Sequence, residues 1–175
     1  MASATARLVT LPDRRPVGSL VAAVLACELV GASGAFLSAD GIATWYPTLA
    51  KPAFTPPSWV FGPVWTTLFA LLGVAAWLVW RAGLDDPAPG LGRESRIALA
   101  VFAAQYVVQV AWSGVFFGLR WPAGGLAVIA VLWLGIVATV AAFARVDRRA
   151  ALLLLPYLAW VSFATFLNYR LWQLN

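Results

Sequence analysis

The sequence predicts an all-α integral membrane protein, a five-transmembrane-helix bundle with a long structured loop between helices 1 and 2. The first observation is the composition. Of the 175 residues, 62% are hydrophobic and 11% are charged, whereas a soluble domain carries about 25% charged residues. The second is that the charges avoid five apolar segments, each with the roughly 20 residues that a helix needs to cross a bilayer. The third is a proline-rich, aromatic segment between the first two of them, because repeated prolines do not fit a helix interior.

Backbone polar groups within lipid must be bonded inside their own segment, so each apolar segment is expected to be a helix. A cytoplasmic N-terminal tail at residues 1–16 is predicted to precede one transmembrane domain at residues 17–175. The five helices are expected at about residues 17–38, 58–81, 93–119, 122–144 and 150–172.

The positive residues predict how the bundle is oriented. Lys51, Arg120 and Arg170 fall on one side of the predicted spans, and the other nine of the twelve Lys and Arg fall on the opposite side. Loops rich in Lys and Arg stay in the cytoplasm. The N-terminus is therefore expected in the cytoplasm, with the first loop and the C-terminus across the membrane. The net charge of +5 is then an orientation signal, and no nucleic-acid partner is expected.

The first loop begins the segment WYPTLAKPAFTPPSWVFGPVW at residues 45–65. Proline fixes φ and pushes the preceding residue out of the α region, so residues 45–57 are predicted to be stiff, extended and non-helical. The segment is aromatic and nearly free of charge, the opposite of a disordered composition. We expect a cover over an apolar space, made by four aromatic side chains: Trp45, Tyr46, Phe54 and Trp59.

Helix 1 carries the small residues GASGA at 31–35, which allow another helix to approach closely. It also carries Glu28, the only acid inside a predicted span. An ionisable residue in a membrane helix is a functional candidate, and the alternative is a protonated or hydrogen-bonded acid near one face of the membrane. Helix 2 is expected to begin near Ser58 and to hold Pro63 within its first turns, where a missing N–H is tolerated.

Helix 3 places Gln105, Gln109 and Trp112 on one face, at spacings of four and three residues. Amides are costly against lipid, so they are expected either to line a pocket or to form hydrogen bonds between helices. Gly114 and Gly118 form a GxxxG pair near the end of this helix. Such pairs favour close helix contact, and a homodimer through these two residues is expected.

Helices 4 and 5 complete the bundle. Helix 4 begins after Pro122 and is mostly aliphatic, and helix 5 is expected to kink at Pro156. Helix 5 carries a second stripe on one face: Tyr157, Trp160, Ala164 and Asn168. Together with the amides of helix 3 and the aromatic loop, this stripe predicts an apolar cavity with a few polar anchors, the general form of a small-molecule site.

The residue inventory excludes several kinds of site. The chain has no histidine and one cysteine, Cys27, so a zinc, haem-iron or iron–sulfur site and an intramolecular disulfide are not expected. The spans contain no nucleophile–base pair, which argues against hydrolytic chemistry.

Three segments resemble the TspO/MBR family, the tryptophan-rich sensory protein and translocator protein family, also called the peripheral benzodiazepine receptor family. They are the first-loop segment at residues 45–65, AAQYVVQVAWSGVFFG in helix 3 and LPYLAWVSFATFLNYRLWQLN in helix 5. The resemblance covers residues 18–175. It implies a five-helix bundle that binds tetrapyrroles such as protoporphyrin IX between the helices, under the first loop. No cofactor beyond this porphyrin ligand is implied, and members are often dimers.

The resemblance implies ligand-binding roles for six residues at matching positions: Tyr46, Trp65, Gln109, Trp112, Trp160 and Ala164. Four neighbours are further candidates for the pocket lining: Trp45, Gln105, Tyr157 and Asn168. The chain departs from the family pattern at Gln109, where Asn is common, and at Gly114, where Pro is often found. Tyr169 and Arg170 are adjacent, so the sterol-recognition pattern of animal members lacks its spacer, which argues against sterol binding.

Three functions are compatible with these features. The first is a membrane receptor, sensor or carrier that binds a tetrapyrrole under the first loop. The second is an enzyme that degrades porphyrin with light and oxygen, in which Trp65 and Trp160 would be the reactive residues. The third is a structural modulator of other membrane proteins.

Overall fold

The computed structural model describes residues 16–85 and 90–175. The predicted tail, apart from its last residue, and residues 86–89 of the connection between helices 2 and 3 lie outside the described residues. Within the described residues there is no strand. The helices are α1 (Pro16–Asp40), α2 (Ser58–Leu84), α3 (Arg93–Ser113), α4 (Pro122–Val146), α5 (Arg148–Leu153) and α6 (Leu155–Leu174).

These helices form five membrane spans in the described residues, because α5 and α6 together make the fifth. Each span is long and apolar enough to cross a bilayer. The prediction of an all-α integral membrane protein with five transmembrane helices is therefore confirmed. The protein lies in a lipid bilayer.

The start of the first loop differs from the sequence prediction. After α1 the chain continues as a π-helical turn at Gly41–Trp45 and a 3₁₀ turn at Tyr46–Thr48, so the prediction of a non-helical segment from residue 45 was wrong for its first four residues. Pro47 is compatible with this turn because it lies in the first positions, where its missing N–H costs no hydrogen bond. The backbone becomes extended at Leu49, with ψ at 142°.

A second π-helical turn, Gly114–Gly118, follows α3 and packs against the first. A β-carbon at Gly41 would lie 2.1 Å from the carbonyl oxygen of Phe117, so only glycine allows this approach of two backbones. Gly114 and Gly118 both face Leu37 at the end of α1. The glycine pair therefore packs within one chain, and the homodimer stays a prediction.

The fifth span is interrupted next to its proline, as expected. Leu154 separates α5 from α6, and Pro156 lies in the first turn of α6. Proline cannot donate to the carbonyl four residues earlier and its ring clashes there, which accounts for a break at this point.

Two features position the cavity described below. The helices α1 and α2 touch through their backbones at Gly73, where a β-carbon would lie 2.5 Å from Cα of Val24. At the opposite end of α1, the loop end of the bundle, Arg120 Nη2 lies 2.8 Å from Asp40 Oδ2 in an ion pair. The bundle is thus closed tightly at the level of Gly73, and the cavity lies between this level and the loop.

Candidate functional site: a cavity under the first loop

A cavity of about 440 Å³ lies between α1, α2, α3 and α6. Small-molecule sites in proteins commonly enclose about 300–1,000 Å³, so this volume is that of a ligand site. Phe69 of α2 packs directly over Gly31 of α1 and borders the cavity there. Ile42, Tyr46 and Ser58 border it at the loop end.

Trp65 is the centre of an aromatic cluster on the cavity wall. Its ring stacks on Phe69 at 5.4 Å between centroids and meets Trp160 edge to face at 6.3 Å, with an interplanar angle of 88°. Trp112 lies 6.5 Å from Trp65 and stacks on Phe116 in turn. Three of the four contributing helices or their extensions therefore present aromatic rings to the same space.

Most polar groups near the wall are already bonded to protein. The indole N–H of Trp112 donates to Asn168 Oδ1 at 3.2 Å, and Asn168 Nδ2 donates to the carbonyl of Pro122 at 2.8 Å. The hydroxyl of Tyr157 donates to Oε1 of Gln109 at 3.1 Å. These bonds hold α3, α4 and α6 together and fix the wall residues in one orientation.

Two buried donors near the wall are exceptions, Nε2 of Gln105 and the indole N–H of Trp160, and of these two residues Trp160 lines the cavity. The N–H of Trp160 has no hydrogen-bond partner among the described residues. An unpaired buried donor costs about 1–3 kcal/mol. A ligand that offers an acceptor at this point would remove that cost.

The structure places seven of the ten predicted residues in the cavity wall: Tyr46, Trp65, Gln109, Trp112, Trp160, Ala164 and Asn168. Three predicted residues are not part of the wall. Tyr157 is 0% exposed and lies behind Gln109, to which it is bonded. Gln105 is buried one turn deeper, against Gly135 of α4. Trp45 meets the ring of Phe116 edge to face at 5.6 Å instead of reaching the cavity.

The loop covers the cavity with fewer aromatic residues than expected. Phe54 stacks on Phe166 of α6 at 5.2 Å, and Trp59 is 74% exposed. The prediction that both fold back over the cavity was wrong. The prolines make the loop stiff, but they do not set the direction of the side chains, and an exposed indole near a helix end is the usual arrangement at a membrane interface.

Sequence reasoning missed most of the α1 wall. Helix α1 contributes six lining residues: Glu28, Gly31, Ala32, Gly34, Ala35 and Ser38. The run of small residues in α1 is the sequence feature that could have indicated this wall, but it was interpreted only as a surface for contact between helices. Ala32 and Ala35 of α1 and Gly62 and Thr66 of α2 line the cavity and are also exposed, so the cavity reaches the surface between these two helices.

The model of the TspO/MBR family matches residues 23–173, which include every residue of the cavity wall. The chain belongs to the TspO/MBR family. Its relatives span bacteria and animals. The chain is 42% identical to the tryptophan-rich protein TspO of Chlorobaculum tepidum over 85% of this chain and 90% of that protein. It is 41% identical to the tryptophan-rich sensory protein of Cereibacter sphaeroides over 86% and 87%, and 38% identical to the translocator protein of Ovis aries over 84% and 86%.

Membership in the TspO/MBR family confirms the resemblance found in the sequence and supports a membrane receptor or sensor role in general terms. The wall of the cavity in this family member is apolar, and Glu28 is its one charged side chain. No group of three His, Cys, Asp or Glu that could hold a metal ion occurs in residues 16–85 and 90–175. The geometry is therefore that of an apolar small-molecule site lined by aromatic rings and a few polar groups.

Proposed function

We propose that this member of the TspO/MBR family is a membrane receptor, a sensor or a carrier, that binds a tetrapyrrole such as protoporphyrin IX in the cavity between α1, α2, α3 and α6. The observation that carries the proposal is the aromatic wall around Trp65, which meets Trp112 and Trp160 within 6.5 Å. Aromatic rings favour offset stacking and edge-to-face contacts with other rings, and a macrocycle presents both a face and edges. The unpaired N–H of Trp160 adds a donor for a polar group of the ligand.

A substitution that fills the cavity tests this proposal. Ala164 lines the cavity on α6, so Ala164→Leu adds volume where the ligand would lie. Ala159 is exposed on the same helix and does not line the cavity, so Ala159→Leu is the matched control. Purified protein is titrated with protoporphyrin IX and tryptophan fluorescence is followed.

We expect saturable quenching with the unmodified protein and with Ala159→Leu, and affinity weaker by roughly tenfold or more with Ala164→Leu, because overpacking costs about 1–3 kcal/mol. Equal affinities for the two variants would place the ligand elsewhere. Absence of saturable binding to any of the three proteins would end the proposal.

A second candidate function is the degradation of porphyrin with light and oxygen. The specific observation in its favour is that Trp65 and Trp160 both line the cavity and meet each other at 6.3 Å, so one bound macrocycle could touch both indoles. The test is illumination of the complex in air, with the products separated by chromatography. Product formation that depends on the protein and is lost in Trp65→Phe and Trp160→Phe supports an enzyme, and product yield equal to that of free porphyrin rejects it.

A further inference from the structure

A second hollow continues the cavity towards the loop. It shares Ile42, Tyr46 and Ser58 with the main cavity and is completed by four loop residues: Pro47, Lys51, Thr55 and Pro56. Because three residues border both spaces, this hollow is the space next to the main cavity at the loop end. The charged and polar groups that line the hollow therefore influence which edge of the ligand lies there.

Lys51 is held at this position by the loop itself. Its Nζ donates to the carbonyl oxygens of Pro47 and Leu49, each at 3.2 Å, and lies 4.8 Å from the centroid of the Tyr46 ring. A lysine ammonium has three N–H donors. Two are directed at loop carbonyls, and the third is available to a ligand beside Tyr46.

The charges that line the two spaces are arranged along an axis. Among the described residues that border either space, Lys51 is the one cation and Glu28 is the one acid. Along α1 and its extension, Glu28 and Ile42 are fourteen residues apart, which corresponds to about 20 Å of helix. An acidic ligand edge is thus attracted to the loop end, where Lys51 lies, and meets no positive side chain of the described wall at the level of Glu28.

We propose that Lys51 binds a carboxylate carried on one edge of the ligand. The ligand then lies in one orientation, with its acidic edge under the loop beside Tyr46 and its apolar edge against Trp65 and Trp112. This inference rests on the proposed function and narrows it to macrocycles with carboxylate substituents on one side. Protoporphyrin IX carries two neighbouring propionates, and its dimethyl ester is the same ring without these charges.

The test compares the two ligands in an uncharged detergent without anionic lipid, so that no lipid phosphate competes for Lys51. Affinities for the acid and the dimethyl ester are measured with the unmodified protein, Lys51→Gln, Lys51→Arg and the control Arg170→Gln. Arg170 carries the same charge at the same end of the bundle, but it bonds to Gln173 at 2.7 Å and borders neither space.

We expect the unmodified protein to prefer the acid by roughly tenfold, as for a hydrogen bond to a charged group. Lys51→Gln should lose that preference through weaker binding of the acid alone, while Lys51→Arg and Arg170→Gln keep it. An equal loss for both ligands in Lys51→Gln would show damage to the loop and overturn the proposal, as would an unchanged preference. If the ester binds well and Lys51→Gln has no effect, the proposal of tetrapyrrole binding is supported and the role of Lys51 is rejected. If neither ligand binds, both proposals are rejected.

Discussion

At the scale of single residues, Trp160 differs from its neighbour Trp112 in one respect that can be measured. Both line the cavity, but the N–H of Trp112 is bonded to Asn168 and the N–H of Trp160 has no partner in the described part of the chain. We expect Trp160→Phe to weaken protoporphyrin IX binding about two- to tenfold, the effect of one hydrogen bond. Its thermal stability should change little, because phenylalanine keeps an aromatic ring at this position and no hydrogen bond within the protein is lost.

Trp112→Phe is the matched control for this prediction. The substitution removes a bond to the buried Asn168, so we expect a loss of about 1 kcal/mol of stability. Thermal unfolding in detergent and fluorescence titration of both variants check the pair. Unchanged affinity in Trp160→Phe would show that the unpaired N–H does not bind the ligand. A lower melting temperature than that of Trp112→Phe would contradict the expected small effect on stability.

Residue spacing predicts the face of a helix but not the depth at which that face opens into a cavity. Trp160 and Ala164 share a face with Tyr157, and all three were predicted from that spacing. Tyr157 lies one turn further from the loop and is sealed behind Gln109. The level at which the bundle closes depends on where α1 and α2 touch, at Gly73, and this contact between distant parts of the chain is not visible in the periodicity of one helix.

At the scale of elements, hydrogen bonds from one side chain, Asn175, join the loop to the end of the fifth span. Asn175 Oδ1 accepts from the backbone N–H of Ala50 at 2.9 Å, and its Nδ2 donates to the carbonyl of the same residue at 3.0 Å. The amide thereby pairs with both backbone groups of Ala50, as a neighbouring strand would. A loop held in this way has to release these bonds before it can move away from the cavity.

Asn175→Ala should therefore change the rates of ligand exchange more than the affinity. We expect association and dissociation of protoporphyrin IX both to become faster, several-fold, because loop opening gates entry and exit, and two hydrogen bonds of roughly 1 kcal/mol each oppose it. Stopped-flow fluorescence measures both rates. Gln173→Ala removes a nearby amide that bonds to Tyr169 and not to the loop, and rates that rise equally in this control would contradict the prediction.

A second element-scale prediction concerns pH. Asp147 caps the N-terminus of α5 by accepting from the backbone N–H of Arg149 at 2.8 Å. The Arg149 side-chain hydrogen bond lowers the pKa of Asp147 below its ordinary value of 3.8. A carboxyl whose pKa is lower in the folded than in the unfolded state stabilises the fold fully above the ordinary value, and this contribution is lost as the pH falls through the folded value.

The melting temperature of the unmodified protein should therefore drop below pH 4 more steeply than that of Asp147→Asn, because asparagine caps a helix about as well and does not titrate. A cap is worth about 1 kcal/mol, so the difference is small and needs paired measurements from pH 7 to pH 3. Parallel curves for the two proteins would show that this cap makes no contribution that depends on its charge.

At the scale of the whole molecule, hydropathy was sufficient to predict the number and nature of the spans, because lipid leaves the backbone no alternative to a helix. It was not sufficient for the cavity. The small residues of α1 were interpreted as a surface for close helix contact, and Gly34 does pack against Val110 and Ser113 of α3. Gly34 also lines the cavity, as does Ala35. Whether small residues bring helices together or leave room for a ligand depends on the packing of the entire bundle.

The orientation of the bundle in the membrane is predicted from the distribution of Lys and Arg along the chain and can be tested with cysteine labelling. The sole cysteine, Cys27, is buried, so the unmodified protein should react little with a membrane-impermeant maleimide. Ala53 in the loop and Glu94 at the start of α3 are exposed, and they lie on opposite sides of the second span. The positive-inside rule places the loop away from the cytoplasm.

In intact cells we expect Ala53→Cys to be labelled and Glu94→Cys to be labelled only after lysis. The reverse pattern would place the loop and its Lys51 in the cytoplasm, so that ligands would reach the cavity from inside the cell. Labelling of both variants in intact cells, with Cys27 still unreactive, would instead indicate that the chain inserts in two orientations. This experiment therefore decides which compartment the loop end of the cavity faces.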